Sequence, residues 1–361
     1  MKKIFMLLAS ALLAWAGMQA QDVPMATLQN AEGTQVFYGS DAFKNAAAAA
    51  DHGNTITLSI GLFNAPTLTK AVVVYGAGAD ISSGSAEVGQ DSKRVTQVNG
   101  DLTLAIDSVD GKPSTGLYIE GLFLQNAVWV AKHLENASFV KCRFYDFNFW
   151  KDESTMTSSQ MCFFFQCRFA NWLEPGEAEA LTVHNSVINK LGRSPENSSL
   201  LVQNSVINRI VDSVKNCVLK NNIVYLINPT NSNAEMVFHD IREITGYLSS
   251  SCSAYQNSFE SSTSISNVIV KVGNWENRLA SSLFGSGASY NYSDTATYEL
   301  TDEAKTKYIG TDGNPIGLYG GEAPFNTKPS IPYVVSKNIA NKSENGKLKV
   351  SIKVAVPEGN L

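Results

Sequence analysis

Apolar and polar residues alternate with period two along most of this chain, and one seven-residue form of the alternation recurs. The segments VKCRFYD (140–146), FQCRFAN (165–171), VHNSVIN (183–189), VQNSVIN (202–208), LKNNIVY (219–225) and YQNSFES (255–261) align without gaps. They follow one another at steps of roughly 17 to 25 residues, with one double step, as expected for a stack of similar structural units. Read as strands, positions one, three and five of each segment share a face. The alignment predicts that Val183, Asn185 and Val187 point inward, as do Val202, Asn204 and Val206. An inward amide without partners costs about 1–3 kcal/mol. Stacking supplies the partners, because Asn185, Asn204 and Asn221 recur one turn of chain apart and would lie at the ~4.8 Å spacing of paired strands, with Asn257 two turns further along the same column. Cys142 and Cys167 continue the expected column. Their spacing permits a disulfide, and simple stacking of two small side chains is the preferred reading. The pattern therefore predicts an all-β fold in which one chain coils into a parallel solenoid.

Such a stack leaves sheet edges at both ends that must be covered. SDAFKNAAAAADHG (40–53) reads as an N-terminal capping helix, with Ser40 as N-cap, an alanine run of high helix propensity and Gly53 after the last turn. Phe43 and Ala47 share the face that would cover the first coil. Beyond Pro324, Pro329 and Pro332, residues 327–361 read as a linker and a β-hairpin built from Tyr333–Ser336 and KLKVSIKVAV (347–356). A lone hairpin is marginally stable, so docking on the last coils is expected.

The repeated segments resemble the asparagine ladder of right-handed parallel β-helix proteins of the pectate-lyase-like superfamily. TITLSIGLFNAPTLTKAVVVYGAGAD (55–80) looks like a first coil of such proteins, and GLYIEGLFLQNA (116–127) like a further one. YIGTDGNPIGLYGGEAPFN (308–326) resembles the closing segment of exported bacterial β-helix proteins of unknown function. The resemblance covers residues 35–326 and implies a right-handed parallel β-helix there. It implies little about activity.

Composition narrows the setting. Residues 1–20 read as a secretory signal peptide, with Lys2 and Lys3 before an apolar run that is short for a membrane span. The mature chain is expected to be exported to the periplasm, the cell surface or the exterior, with no membrane span. A formal charge of -5 argues against nucleic-acid binding. The five cysteines form no CxxC pair, and TDGN (311–314) lacks calcium-loop spacing, so neither metal nor cofactor is expected.

Catalytic chemistry is sparse. Hydrolysis of a glycoside needs two flanking carboxylates, and the outward positions of the repeats are nearly free of acids. A polysaccharide lyase acting on uronate polymers needs a base and cations; Lys190, Arg209 and His184 are the weak candidates. The pectate-lyase motif of two arginines around a proline is absent, since RSPEN at Arg193 lacks the second arginine. Stacked cations Arg143 with Arg168 and Lys190 with Arg209, together with Tyr145, Phe147, Trp150 and Trp172, are the candidate binding residues for acidic sugars. His239 and Asp240 are neighbours with no evident nucleophile. The leading expectation is a non-catalytic exported protein that binds glycans or a surface protein. A lyase and an assembly protein that uses its C-terminal hairpin are the alternatives.

Overall fold

A computed structural model describes residues 23–79, 95–150, 156–192, 194–195, 197–211, 213–224, 247–248, 252–259, 268, 270–275, 278–285, 292–339, 347 and 350–355. Residues 1–20, Arg193, His239 and Asp240 lie outside the described residues. The alternating segments form strands, most of them parallel, in two long sheets. Sheet A runs from Gly33–Tyr38 and Met25–Asn30 through Thr55–Leu58, Val73–Tyr75, Tyr118–Glu120, Ser138–Val140, Phe163–Phe165, Leu181–His184, Leu200–Gln203, Cys217–Lys220 and Ser253–Tyr255 to Val270–Val272. Sheet B stacks Gly61–Asn64, Thr96–Asn99, Leu122–Val130, Arg143–Asn148, Arg168–Glu174, Val187–Leu191, Val206–Ile210, Ile223–Val224 and Ser258–Phe259. Each rung thus contributes one strand to each sheet, and successive rungs pair in parallel, an arrangement consistent with a β-helix-like solenoid.

The core lies between the sheets. Ile119, Phe139, Phe164, Val183, Val202 and Leu219 are fully or almost fully buried on the inner face of sheet A, and Phe144, Phe169, Ile188 and Ile207 do the same from sheet B. Phenylalanines stack rung on rung: Phe139 lies on Phe164 with centroids 4.9 Å apart, and Phe144 on Phe169 at 5.2 Å. The dense aromatic stretch FYDFNFW with FFF is therefore mostly core. Phe147 and Phe149 are fully buried.

The N-terminal end is covered by more than a helix. Helix α1, Ala42–Ala49, buries Ala42, Phe43 and Ala46, while Ala47 packs partly against the core. Its N-cap is Asp41 rather than Ser40, without a side-chain capping bond. Ahead of it, Met25–Asn30 and Gly33–Tyr38 form an antiparallel hairpin that joins sheet A through Thr55–Leu58. Changing pairing direction at the first rung ends the parallel stack. At the other end, Tyr333–Ile339 and Val350–Ala355 pair antiparallel, as the hairpin pattern predicts, and Val354 is half exposed. Among the described residues no helix is long and apolar enough to cross a membrane.

The register corrects the predicted ladder. Strand pairing matches Phe165 with His184, then Gln203, Lys220 and Tyr255. Asn185, Asn204 and Asn221 therefore stack with Lys141, Gln166 and Gln256, not with Cys142, Cys167 and Asn257. All six occupy left-handed backbone, with φ between 44° and 57°. They form the bend that carries the chain from sheet A to sheet B. Asparagine tolerates this region better than most residues. The inward ladder is one residue further on: Cys142, Cys167, Ser186, Ser205, Asn222, Asn257 and Asn274. Backbone amides step along it. Cys167 N donates to Ser186 Oγ at 3.0 Å, Ser186 N to Ser205 Oγ at 3.1 Å, Ser205 N to Asn222 Oδ1 at 2.9 Å and Asn257 N to Asn274 Oδ1 at 2.9 Å. All five cysteines are free and buried, so Cys142 and Cys167 stack without a bond.

Candidate functional site

The left-handed bend leaves a row of polar side chains on the outside of the solenoid, and the segment after helix α2 (Asp302–Lys307) runs along it as a strap. Thr301 caps α2 by accepting from Ala304 N at 3.2 Å. From there the chain descends toward the N-terminal rungs. Thr311 N donates to Asn221 Oδ1 at 2.9 Å, and Asn185 Nδ2 donates to the carbonyls of Leu318 and Gly320 at 3.0 and 2.8 Å. Gln166 Nε2 donates to Pro324 O, and Lys141 Nζ to Lys328 O at 2.7 Å and Ser330 Oγ at 2.9 Å. Ser330 N ends the series on Glu120 Oε1 at 2.6 Å. Gly321 lies so close to Asn204 Nδ2 that a Cβ there would collide with it. Burial lowers the pKa of the Lys141 ammonium, with Glu120 opposing the shift.

Residues 283–285 and 292–325 cover the outward column next to the bend. Val187, Val206 and Ile223 form a second apolar cluster with Phe284, Tyr298, Leu300, Tyr308, Ile316, Leu318 and Phe325. In the two preceding rungs this column holds Arg168 and then Arg143, directly paired in register. Both are more than nine-tenths buried. Arg143 pairs with Asp294 and lies 4.3 Å from the Phe123 ring centroid; Arg168 faces Ala296 O and lies 5.0 Å from that of Phe325. They were expected as an open binding strip. The strap instead covers them, because Val187, Val206 and Ile223 in the same column recruit an apolar cover that extends over the arginines.

The second cationic pair keeps its expected register at the far side of sheet B. Asp146, Trp172, Lys190 and Arg209 occupy equivalent positions of four rungs. Lys190 Nζ sits 4.8 Å from the Trp172 ring centroid, a cation–π contact. Asp146 Oδ1 accepts from Trp172 N at 2.9 Å, and Asp101 Oδ1 accepts from Ala127 N at 3.2 Å. Both acids serve amides at irregularities in the strand register. Burial raises the pKa of Asp146, partly opposed by the Trp172 amide. Tyr145 is half exposed on the neighbouring position, whereas Trp150 is buried and bridges to Met156. Trp150 is thus no part of an exposed aromatic surface.

His184 does not join Lys190 and Arg209. It lies on the outer face of sheet A, across the bend from sheet B. Burial, then Lys220, lowers its pKa. That outer face carries aromatic residues that the sequence reading missed. Its two outward columns include Tyr75, Glu120, Phe165, His184, Gln203, Lys220 and Tyr255 in one, and Tyr118, Phe163, Thr182 and Leu201 in the other. The Phe163 and Phe165 rings stack at 5.9 Å, and Phe163 meets His184 at 5.6 Å. Phe163, Phe165, His184, Gln203, Lys220 and Tyr255 are all partly exposed. The strap closes this face at Glu120, which is buried and accepts from Tyr118 OH at 2.6 Å. Alternation alone contained the signal: once the inner Phe164 is assigned, Phe163 and Phe165 must point out. Among the described residues no group of three or more His, Cys, Asp or Glu comes together. Comparison with known proteins finds no matching family model, curated protein or solved structure.

Proposed function

We propose that this chain is an exported, right-handed parallel β-helix protein, of the pectate-lyase-like kind its repeats resemble, that binds glycans without transforming them. The signal-peptide pattern of residues 1–20 supports export to the periplasm or cell surface. One observation carries the binding reading: Phe163, Phe165, His184, Gln203, Lys220 and Tyr255 stand side by side, partly exposed, on the outer face of sheet A. Aromatic faces stack on the apolar faces of sugar rings, while amide and ammonium groups hydrogen-bond hydroxyls. Rungs repeat every ~4.8 Å, close to the length of one pyranose unit, so an extended chain lying along the axis would meet successive side chains.

Affinity electrophoresis through gels containing neutral and acidic polysaccharides tests this. Retardation by at least one polysaccharide, lost in Phe163→Ala/Phe165→Ala with the fold intact by circular dichroism, is the expected result. No retardation by any of them would discard the reading. A lyase has less support, because its candidate base His184 is separated from Lys190 and Arg209 by the bend.

The assembly reading keeps one observation in its favour, the half-exposed Val354 on the terminal hairpin. A chain lacking residues 333–361 that remains as monomeric and stable as the full chain would exclude it.

A further inference from the structure

Arg143 and Arg168 present an imbalance of buried charge. They stack in register on adjacent strands, exposed by only 7% and 8%. Among the described residues one carboxylate, Asp294, answers them, and it pairs with Arg143. Among the described residues Arg168 has the carbonyl of Ala296, 3.4 Å from each of Nη1 and Nη2, a long contact for a guanidinium. The Nε of each arginine is buried and has no hydrogen-bond partner, and the same holds for Gln166 Oε1 and Asp294 Oδ1, so hydrogen bonding alone could be met by water and the charge decides. Both side chains line one small cavity of about 10 Å³, together with Lys141, Gln166, Asp294 and Phe325. The Lys141 ammonium is committed to Lys328 O and Ser330 Oγ, so it adds positive charge without needing the cavity. Among the described residues that line the cavity, three cations face one carboxylate, Asp294, while Glu120 acts on Lys141 from outside it.

Aromatic contact relieves part of the desolvation. Phe123 and Phe325 lie beside the two guanidinium groups. A guanidinium donates in its own plane, and the unused Nε–H groups need an acceptor there. Water could accept hydrogen bonds but would leave the charge unbalanced, and an uncompensated buried charge is strongly destabilising. A space near 10 Å³ holds about one small particle.

We propose that this cavity binds a single-atom anion, a halide of chloride size, between Arg143 and Arg168 beneath the strap. The ion supplies the missing counter-charge and fastens residues 294–325 onto the solenoid. It is a structural site, separate from the sugar-binding face of sheet A.

Thermal unfolding of the full chain, with chloride replaced by gluconate at constant ionic strength, is the first test. The expected result is a melting temperature that rises with chloride and saturates. Asp294→Asn should lower the half-saturating chloride by about tenfold, because it removes a competing negative charge from the cavity. Arg168→Met should abolish the chloride response. Crystals grown in bromide should show an anomalous peak between the two guanidinium groups. A melting temperature indifferent to chloride, or bromide crystals without that peak, overturns the proposal. If Arg168→Met does not fold, Asp294→Asn and the bromide map still decide.

Discussion

Asn222 and Asn257 meet twice: the main-chain N of Asn222 donates to Asn257 Oδ1 at 2.9 Å, and its Nδ2 donates to the same oxygen at 3.0 Å. Both residues are fully buried. The link repeats between Asn257 and Asn274 at 2.9 and 3.0 Å, while Asn222 Nδ2 also reaches back to Val202 O at 2.8 Å. Asn222 and Asn257 therefore each serve three rungs at once, which is why a polar residue belongs inside this core.

Replacing Asn257 by leucine removes an oxygen that two buried donors share. Each orphaned donor costs roughly 1–3 kcal/mol, so Asn257→Leu should lower stability by several kcal/mol. Gln203→Leu, on the outer face, should cost less than about 0.5 kcal/mol. Urea unfolding of both variants checks this, and equal midpoints would contradict the register.

The strap should loosen before the solenoid. Asn185→Ala deletes two bonds to strap carbonyls and places alanine in left-handed backbone, a combined loss of about 2–3 kcal/mol. Gly321→Ala should act similarly, since its Cβ would strike Asn204 and φ is +76°. Limited proteolysis should then cut within residues 310–330 well before the coils. Unchanged cleavage in both variants would count against the strap as a separable element.

Burial pushes the thiols of Cys142 and Cys162 up to about 12, and those of Cys167 and Cys217 upward as well. The reactive thiolate is correspondingly scarce. At pH 8 the native protein should show almost no rapid reaction with an aromatic disulfide reagent, while denatured protein should release all five equivalents. Fast labelling of the native form would mean that the ladder opens readily.

His184 has a lowered pKa in the folded chain, so the unfolded chain takes up its proton first. Stability from this group is complete above the unfolded value, near 6.5, and declines as pH falls below it toward the folded value. His184→Gln should therefore flatten the loss of stability between neutral and mildly acidic pH. Parallel melting curves for variant and parent over pH 7 to 5 would show that the imidazole is not held in its neutral form.

Much of this architecture was legible in the residues. Period-two alternation in LTVH, LLVQ and CVLK marks strands buried on one face, and their recurrence marks the rungs. The run of alanines after Asp41 marks the capping helix. The bend was legible too, though the gapless alignment read it wrongly. In six successive rungs the left-handed residue precedes a small buried one: Lys141–Cys142, Gln166–Cys167, Asn185–Ser186, Asn204–Ser205, Asn221–Asn222 and Gln256–Asn257. Aligning by asparagine alone slipped the register by one residue, and a one-residue slip exchanges the two faces of a strand.

Sequence by itself determined which segments become strands, because burying one face of a pleated ribbon demands alternation that can be read locally. How often they repeat was misread at one place: the step from Asn221 to Asn257, taken as double, is a single rung, because Lys220 pairs directly with Tyr255. Tertiary structure alone decided which outward columns meet solvent. Arg143 and Arg168 look as available as Lys190 and Arg209 until residues far away in the chain fold over them. That choice depends on Val187, Val206 and Ile223 attracting Tyr298, Leu318 and Phe325, and contacts between residues a hundred positions apart leave no periodic trace in either partner.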